Sequence, residues 1–314
     1  MDIRSAVLGA RNGDALPVLA WLDGRGDPDY TDHTGVRLLH IAADYRQPPI
    51  VKLLLERGAN PNVVNRDGRT PLYEAVDELT RRSDERRVRG NEIVRILLAA
   101  KADPGLGVQL PLAEAAGNGN VEAVRALLAS GAQVNQSDPH YSSTALIHAV
   151  NGAQPEMVKL LLAAGADIKQ ADRRGQTPLL RAIENPGTVG DSPERRALCI
   201  ELARFLVRMG ADVNDFTEDG WSPLMAAVNE NWPEMIRFLL DAGADVKFID
   251  GKGRGLARVA VDGVLRLKLE DAPALELVRS MVDAGARDAK DAAEWARKRA
   301  RAPLADAIEK LGYK

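Results

Sequence analysis

Apolar and small residues recur along this chain at a nearly constant spacing. A leucine or alanine is followed three positions later by an alanine or glycine, and this pair occurs nine times. The first members of the pairs are Ala6, Leu39, Leu72, Leu112, Leu146, Leu179, Leu224, Ala257 and Ala293. Most intervals lie close to 33 residues, a length typical of a repeated supersecondary unit. The pattern therefore indicates nine copies of one small unit.

Each unit is predicted to contain two helices. Thr177 suits the N-cap of a first helix and Pro178 suits its first turn, where a missing N–H is harmless. Apolar residues in the segment Met157–Leu162 fall at helical spacing and predict a second helix, which should end at the left-handed glycine Gly165. The equivalent glycines are Gly58, Gly131, Gly210, Gly243 and Gly285. Short extended segments with a glycine turn should connect the units.

A unit of this size cannot bury its apolar face alone, whereas stacked copies can, which predicts a solenoid. The segments "DGRTPLYEAV" (Asp67–Val76) and "VKLLLERGANPNVVN" (Val51–Asn65) resemble the ankyrin repeat, and the resemblance covers essentially the whole chain. It implies an all-α ankyrin-repeat solenoid of helix-turn-helix units with short β-hairpin fingers. It also implies a threonine–histidine bond in each unit, which we do not expect here, because only His40 holds the histidine position and Arg37 replaces its threonine.

We expect one ankyrin-repeat domain over residues 1–314. Its units are placed approximately at 1–32 (N-terminal cap), 33–65, 66–105, 106–138, 139–171, 172–216, 217–249, 250–286 and 287–314 (C-terminal cap). Atypical end units are normal for such a stack, because each must present a polar outer face.

Composition excludes several classes of protein. The net charge of −3 disfavours a globally basic nucleic-acid binder. No apolar stretch of 18 residues and no signal-like start are present, so neither a membrane span nor secretion is expected. A single cysteine, Cys199, excludes an intrachain disulfide framework and suits a reducing compartment. These features predict a cytoplasmic protein, and we expect a monomer.

Three insertions interrupt the period at the turn between the two helices of a unit. They lie at Leu79–Gly90, Glu184–Ala197 and Asp262–Ala274. Insertions confined to one edge are either binding elaborations or extra length at a tolerant turn. For the arginine-rich first insertion, we favour a longer helix with a solvated charged face.

No constellation for catalysis or metal binding is evident. The four histidines fall on separate units or on hairpin tips, and no spacing typical of zinc ligands occurs. Cys199 lies in an apolar helix and is interpreted as a buried, inert thiol. We therefore expect neither an enzyme nor a cofactor.

The resemblance to ankyrin repeats places two variable stripes on an inner, concave face. One stripe contains the hairpin tips, and the other contains the C-terminal ends of the first helices, where acids predominate. Basic tips and an acidic floor suit a protein partner of mixed charge. A third set of polar residues, Glu74, Glu114, His148 and Arg181, follows the middle of the groove, either as an internal salt-bridge stripe or as the heart of a binding site. The candidate partner-binding residues are Tyr45, Arg66, Arg69, Tyr73, His140, Tyr141, Arg173, Arg174, Trp221, Glu114, His148 and Arg181.

The favoured hypothesis is a non-enzymatic module that binds another protein through its concave face and hairpin tips, as a scaffold, an inhibitor or an antitoxin-like neutraliser. Two alternatives stay open. One is an enzyme or ligand-binding protein with a polar site around His148 and Glu114. The other is a nucleic-acid binder that uses the arginine-rich loops, although no specific nucleic acid is expected.

Overall fold

The computed structural model describes residues 2–31, 35–77, 83–184 and 192–311. In these residues, eighteen helices follow one another in nine antiparallel pairs. The pairs are α1 (Ile3–Asn12) with α2 (Ala15–Asp23), α3 (Leu38–Asp44) with α4 (Pro48–Glu56), α5 (Pro71–Val76) with α6 (Asp84–Ala99), α7 (Pro111–Gly117) with α8 (Val121–Ala129), α9 (Ala145–Asn151) with α10 (Pro155–Ala163), α11 (Pro178–Glu184) with α12 (Pro193–Arg208), α13 (Pro223–Asn229) with α14 (Pro233–Asp241), α15 (Leu256–Leu267) with α16 (Asp271–Asp283), and α17 (Ala289–Lys298) with α18 (Ala302–Glu309). The only extended pairing among the described residues consists of isolated bridges, Thr31 with Arg37 and Ser137 with Thr144. The all-α, helix-turn-helix prediction is confirmed.

The first helices begin where the sequence predicts. The hydroxyl of Thr70 accepts a hydrogen bond from the backbone N–H of Tyr73 at 3.1 Å, and that of Ser222 accepts one from Met225 at 3.3 Å. In both units a proline follows the cap and occupies the first helical turn. The hydroxyl satisfies one of the orphan N–H groups of the helix start, and proline removes another.

The second helices end in a left-handed residue. The six predicted glycines have φ between 88° and 108°. The first and third units have no glycine at this position, and Arg25 and Lys101 adopt φ of 65° and 66° instead. A Cβ in this region crowds the backbone, so these two units retain some strain.

The small residue of each repeat lies in the core. Ala149 and Ala182 are fully buried, as are their equivalents in other units. Within residues 1–167, and likewise within residues 168–314, first helices pack side by side on the first helices of neighbouring repeats. The small side chains allow this close approach, which confirms the register of the repeat. The chain divides into two compact units, Met1–Asp167 and Ile168–Lys314, each with its own core. The single-domain boundaries given above stay a prediction.

Asparagines join successive units on the side of the second helices. Asn62 donates to the carbonyl of Lys101 at 3.1 Å and accepts from the N–H of Asp103 at 2.7 Å. Asn214 makes the same two bonds to Gly243 and Asp245, at 3.2 and 2.7 Å. Asn135 repeats the arrangement within the N-terminal unit. Each asparagine thus satisfies a backbone carbonyl and a backbone N–H in the loop of the next unit, which the helices leave unpaired.

The insertions lengthen helices. α6 and α12 each have 16 residues, against nine in α4, because residues were added before their N-terminal ends. In the eighth unit the first helix, α15, grows to 12 residues. The parts of the first two insertions at 78–82 and 185–191, which include Arg81 and Arg82, lie outside the described residues.

The face of α6 is only partly solvated, in contrast to the prediction. Arg86 donates to the carbonyl of Asp44 at 2.9 Å, and Arg87 donates to the carbonyl of Asn118 at 3.4 Å. Both arginines therefore satisfy the carboxyl ends of neighbouring first helices. Arg89 pairs with Glu85 one turn away, on the exposed side.

Candidate partner-binding surface

Five of the hairpin fingers are each closed by one polar side chain at their start. Oδ1 of Asp172 accepts hydrogen bonds from the N–H groups of Arg174 and Gln176 at 2.9 and 3.0 Å. Asn65, Asp250 and Asp138 close their own fingers in a similar way, and Thr217 uses its hydroxyl. A glycine with φ near 73–74° completes the turn in the fingers that hold Gly68, Gly175, Gly220 and Gly253. The turn therefore does not need the side chains at its tip.

Several tip side chains extend into solvent, as the sequence predicts. Arg66, Arg173 and Arg174 are exposed. His140 is also exposed, and Tyr141 is 70% exposed, with its ring edge-on to the His140 ring at a centroid distance of 6.5 Å. The predicted tip residues His33 and Thr34 lie outside the described residues.

Trp221, one of the candidate partner-binding residues, has structural contacts as well. The ring is half-buried, and the guanidinium carbon of Arg254 lies 5.5 Å from its centroid. The indole also hydrogen-bonds to the carboxylate of Glu184. Trp221 is therefore part of the packing between neighbouring fingers, even though one part of its ring remains accessible.

The acidic floor is not a set of free charges. Arg69, at the end of one finger, lies 3.4 Å from the carboxylate of Asp77, eight residues later at the end of α5. Arg254 pairs with Asp262 in the same relation, at 3.0 Å. Gln176 donates to Glu184 at the equivalent positions of the sixth unit. In each of these units, a side chain of the finger therefore binds the carboxylate at the end of the first helix of the same unit.

The polar residues in the middle of the groove are also engaged. Glu74 is buried and lies 3.7 Å from Arg69, which covers the ring of Tyr73. The hydroxyl of Tyr73 donates to Glu114 at 3.2 Å, and Asn118 donates to the other oxygen of Glu114 at 2.7 Å. Within the compact unit Met1–Asp167, these contacts support the interpretation of the stripe as an internal salt-bridge stripe.

Burial changes the titration of this cluster. It raises the pKa of Glu74 to about 7 and also raises the pKa of Glu114. Burial and the nearby Glu114 carboxylate raise the pKa of Tyr73. The charged carboxylate is disfavoured because few water molecules reach it, and Arg69 offsets only part of that cost.

The remaining candidates have structural contacts of their own. The half-buried ring of Tyr45 stacks with Arg11, whose guanidinium carbon is 4.9 Å from the centroid. His148 is half-buried beside α7, where a Cβ added at Gly117 would lie 3.7 Å from its Nδ1. Arg181 pairs with the buried carboxylate of Asp172. Arg181 thereby fixes the finger through the same aspartate that closes it.

His40 bonds to neighbouring backbone rather than to a threonine. Its Nδ1 accepts from the N–H of Arg37 at 3.3 Å, and its Nε2 lies 3.1 Å from the carbonyl of Arg69 in the next unit. Burial lowers the pKa of His40 to about 4. The neutral ring, with the proton on Nε2, therefore links two successive fingers.

The sequence analysis did not predict an apolar patch that lies in the compact unit Ile168–Lys314. Phe216 is 58% exposed and Ile249 is 60% exposed. Phe248 packs on Phe216 with ring centroids 5.0 Å apart. These residues lie just before the polar residues that open two fingers, at positions where other units have Val64 and Ala171. The signal was present as two phenylalanines in a chain with only four.

Histidine, cysteine and acidic side chains, the usual ligands of metal ions, occur throughout the part of the chain that the structure describes. No cluster of three histidine, cysteine or acidic side chains there could hold a metal ion. Cys199 is buried in α12. Within the same ranges, no helix has both the length and the apolar character needed to cross a bilayer.

Comparison with known proteins identifies the family. The family described as ankyrin repeats (3 copies) matches residues 6–107, 112–214 and 170–250, which is well over half of the chain. Together with the paired helices and fingers, this match shows that the chain belongs to the ankyrin-repeat family.

The relatives match this chain over only part of their own length. Potassium channel AKT2/3 of Arabidopsis thaliana is 36% identical over 136 residues, which are 43% of this chain and 16% of the channel. Human transient receptor potential cation channel subfamily A member 1 is 30% identical over 297 residues, 76% of this chain and 26% of the channel. Mouse protein phosphatase 1 regulatory subunit 27 is 39% identical over 46 residues, 15% of this chain and 30% of that protein. The chain thus spans less than a third of the length of each.

Ankyrin repeats generally serve as protein–protein interaction modules, and the family is typically non-enzymatic. The phosphatase relative is named as a regulatory subunit.

Proposed function

We propose that this chain is a non-enzymatic module that binds a partner protein through its hairpin fingers and the adjoining ends of its first helices. A role as scaffold, inhibitor or neutraliser of the partner follows from such binding. The observation that carries this proposal is the exposure of large side chains at tips whose turns are closed by other residues. Tyr141 is 70% exposed, although Asp138 already holds its finger.

The exposed tip residues are of the types that dominate binding energy in interfaces. Tyrosine and arginine are enriched among hot-spot residues because they bury a large area and still form directed hydrogen bonds. In contrast, the alternative polar site around His148 and Glu114 is occupied by internal bonds, since Glu114 already accepts from Tyr73 and Asn118. The tips are therefore the better binding surface.

The test is affinity capture of the partner with the full chain, followed by measurement of binding to variants. We expect Tyr141→Ala, and the pair Arg173→Ala with Arg174→Ala, each to weaken binding by about 1–3 kcal/mol. Neither variant should change the melting temperature appreciably, because the finger backbone is closed by Asp138 or Asp172. Trp221→Ala should weaken binding and also lower the melting temperature, since its ring is packed.

The control is Lys159→Ala on α10, where the exposed lysine pairs only with Glu156. It should leave binding unchanged. Suppose instead that a captured partner tolerated every tip change but was lost when the segment 79–90 was shortened. The inserted edge would then be the functional surface, and the proposal would be wrong.

A further inference from the structure

The fingers of the sixth, seventh and eighth units enclose a cleft of about 440 Å³. The cleft lies between the finger segments 172–176, 217–221 and 250–254, and we call it the tip cleft. Its size suits one large side chain and the backbone that carries it. It lies entirely within the C-terminal compact unit.

Gln176 lines the tip cleft and carries a buried acceptor that has no partner among the described residues. Gln176 is only 9% exposed, and its Nε2 donates to Glu184. Its Oε1 is buried and has no hydrogen-bond partner among the described residues. A buried carbonyl oxygen that lacks a donor costs free energy, so a ligand that brings a donor recovers that cost. The bond from Nε2 to a carboxylate also polarises the amide and makes Oε1 a better acceptor.

One wall of the tip cleft is aromatic. Trp221 contributes part of its ring, and Arg254 stacks on that ring at 5.5 Å. The charge of Arg254 is already matched by Asp250 and Asp262. This wall therefore offers a flat, largely neutral surface, which suits another aromatic ring.

The rim of the tip cleft has an ordered charge pattern. The first finger presents Arg173 and Arg174, the middle finger presents Glu218 and Asp219, and the last finger presents Lys252. All five are exposed. A partner segment that crosses the three fingers therefore meets cations at both ends and acids in the middle.

We propose that the tip cleft binds a partner segment with a central tyrosine and acidic residues on both sides. The Gln176 side chain shifts to open its Oε1 to the cleft, where it accepts from the phenol O–H, and the ring packs on Trp221. The flanking carboxylates pair with Arg173 and Arg174 at one end and with Lys252 at the other. A partner lysine or arginine in the cleft would meet these cations, and phenylalanine would leave Oε1 unsatisfied. The inference deepens the proposed function and rests on it.

The spacing of the segment follows from the repeat. Neighbouring units lie about 10 Å apart, so the two basic fingers are about 20 Å apart. An extended chain covers that distance in about six residues. The acids should therefore be separated by about six positions, with the tyrosine halfway and neutral residues beside it to avoid Glu218 and Asp219.

The probe is a fluorescent synthetic peptide of about nine residues, with paired glutamates at both ends, serines between them and a central tyrosine. Its anisotropy is measured with the full chain. We expect saturable binding, about tenfold weaker when phenylalanine replaces the tyrosine, and at least tenfold weaker when lysines replace the glutamates. Equal affinity for the tyrosine and phenylalanine peptides would overturn the proposal, as would equal affinity for the glutamate and lysine peptides.

Two variants assign the contacts. Gln176→Met keeps the length of the side chain but removes the acceptor, so it should abolish the preference for tyrosine over phenylalanine. The pair Arg174→Glu with Lys252→Glu should reverse the preference between glutamate and lysine peptides. The matched control reverses two exposed charges elsewhere in the same compact unit, Arg237→Glu with Lys290→Glu, and should change neither preference.

These results separate the inference from the function on which it depends. If the peptide preferences were absent, but Arg173→Ala with Arg174→Ala still weakened a captured partner, the ligand chemistry would be wrong and the interaction function would stand. If neither the peptides nor any captured partner responded to changes at the tips, both would be wrong.

Discussion

At the scale of single residues, burial shifts the pKa values of two groups in adjoining units in opposite directions. The pKa of His40 falls from its usual 6.5 to about 4, and that of Glu74 rises from 4.5 to about 7, in both cases through burial. Between pH 4 and 6.5 the unfolded state binds a proton on His40 that the folded state lacks, so His40 lowers stability as the pH falls. Between pH 4.5 and 7 the folded state keeps a proton on Glu74 that the unfolded state has lost, so Glu74 lowers stability as the pH rises. The two slopes oppose each other over most of this range.

Replacing Glu74 should therefore expose the effect of His40. We expect Glu74→Gln to raise the free energy of unfolding above pH 7 by about 1–3 kcal/mol, because no carboxylate has to be buried. From pH 6.5 down to pH 4 the variant should lose stability more steeply than the original chain. Urea unfolding over a pH series measures both effects. The control is Glu56→Gln, which changes an exposed carboxylate on α4 and should leave the pH profile unchanged. If the free energy of unfolding of Glu74→Gln changed with pH in parallel with that of the original chain, the opposing effects of His40 and Glu74 would be contradicted.

Residue types could be predicted from the sequence, but their pairing could not. The sequence predicts that the acids at the ends of the first helices face a partner. The structure instead pairs Asp77 with Arg69 and Asp262 with Arg254, each eight residues earlier on the finger of the same unit. Each pair joins a residue of a finger to a residue at the end of the following helix. Neither helical nor strand periodicity predicts a contact between residues placed in this way. The contacts of Trp221 could not be predicted for the same reason, because its partners, Glu184 and Arg254, lie on neighbouring units.

At the scale of elements, the repeat pattern predicts both helices and their caps well. It does so because proline, threonine and glycine act locally, through missing N–H groups, short side chains and left-handed backbone. The insertions were harder, since extra residues at a turn can form either a loop or a longer helix. The structure extends α6, α12 and α15, which the arginine-rich composition indicated only for α6.

The left-handed residues at the ends of the second helices give a test at this scale. Lys101 adopts φ of 66° where Gly165 has φ of 91° in the fifth unit. We expect Lys101→Gly to stabilise the chain by about 0.5–1 kcal/mol, because strain in the folded state outweighs the added freedom of the unfolded chain. Conversely, Gly165→Ala should destabilise it by about 1 kcal/mol through backbone strain alone, since a Cβ there would meet nothing within 4 Å. Thermal unfolding measures both changes, and shifts of the same sign would contradict the assignment.

At the scale of the whole molecule, the family and the class of function follow from repetition, whereas the partner does not. Every unit carries the same scaffold, so the scaffold residues are recognisable by recurrence. Residues that meet a partner differ from unit to unit, and nothing in the repeat distinguishes a proposed binding residue such as Tyr141 from an exposed residue without a role. Only the contacts separate them. They show which arginines, such as Arg254, serve the fold and which, such as Arg174, extend from it.

The distribution of charge over the molecule predicts its behaviour toward nucleic acid. The basic residues of α6 are used internally, since Arg86 and Arg87 cap first helices and Arg89 pairs with Glu85. In the last unit, Arg297 pairs with Asp306 and Glu309, and Arg301 pairs with Asp271. These contacts reduce the positive charge that α6 and the last unit can present to phosphates, and the net charge of the chain is −3.

We therefore expect weak binding to duplex DNA or RNA that is lost at moderate salt, because binding through phosphate contacts falls steeply with salt and the arginines of α6 and of the last unit are already engaged. Electrophoretic shift or anisotropy over a salt series measures this. Charge reversal at Arg174 and Lys252 should weaken binding to an acidic peptide while leaving the already weak binding to duplex almost unchanged. A submicromolar complex that resists salt would instead make nucleic acid the partner, and the internal ion pairs of α6 and of the last unit would then have to open on binding.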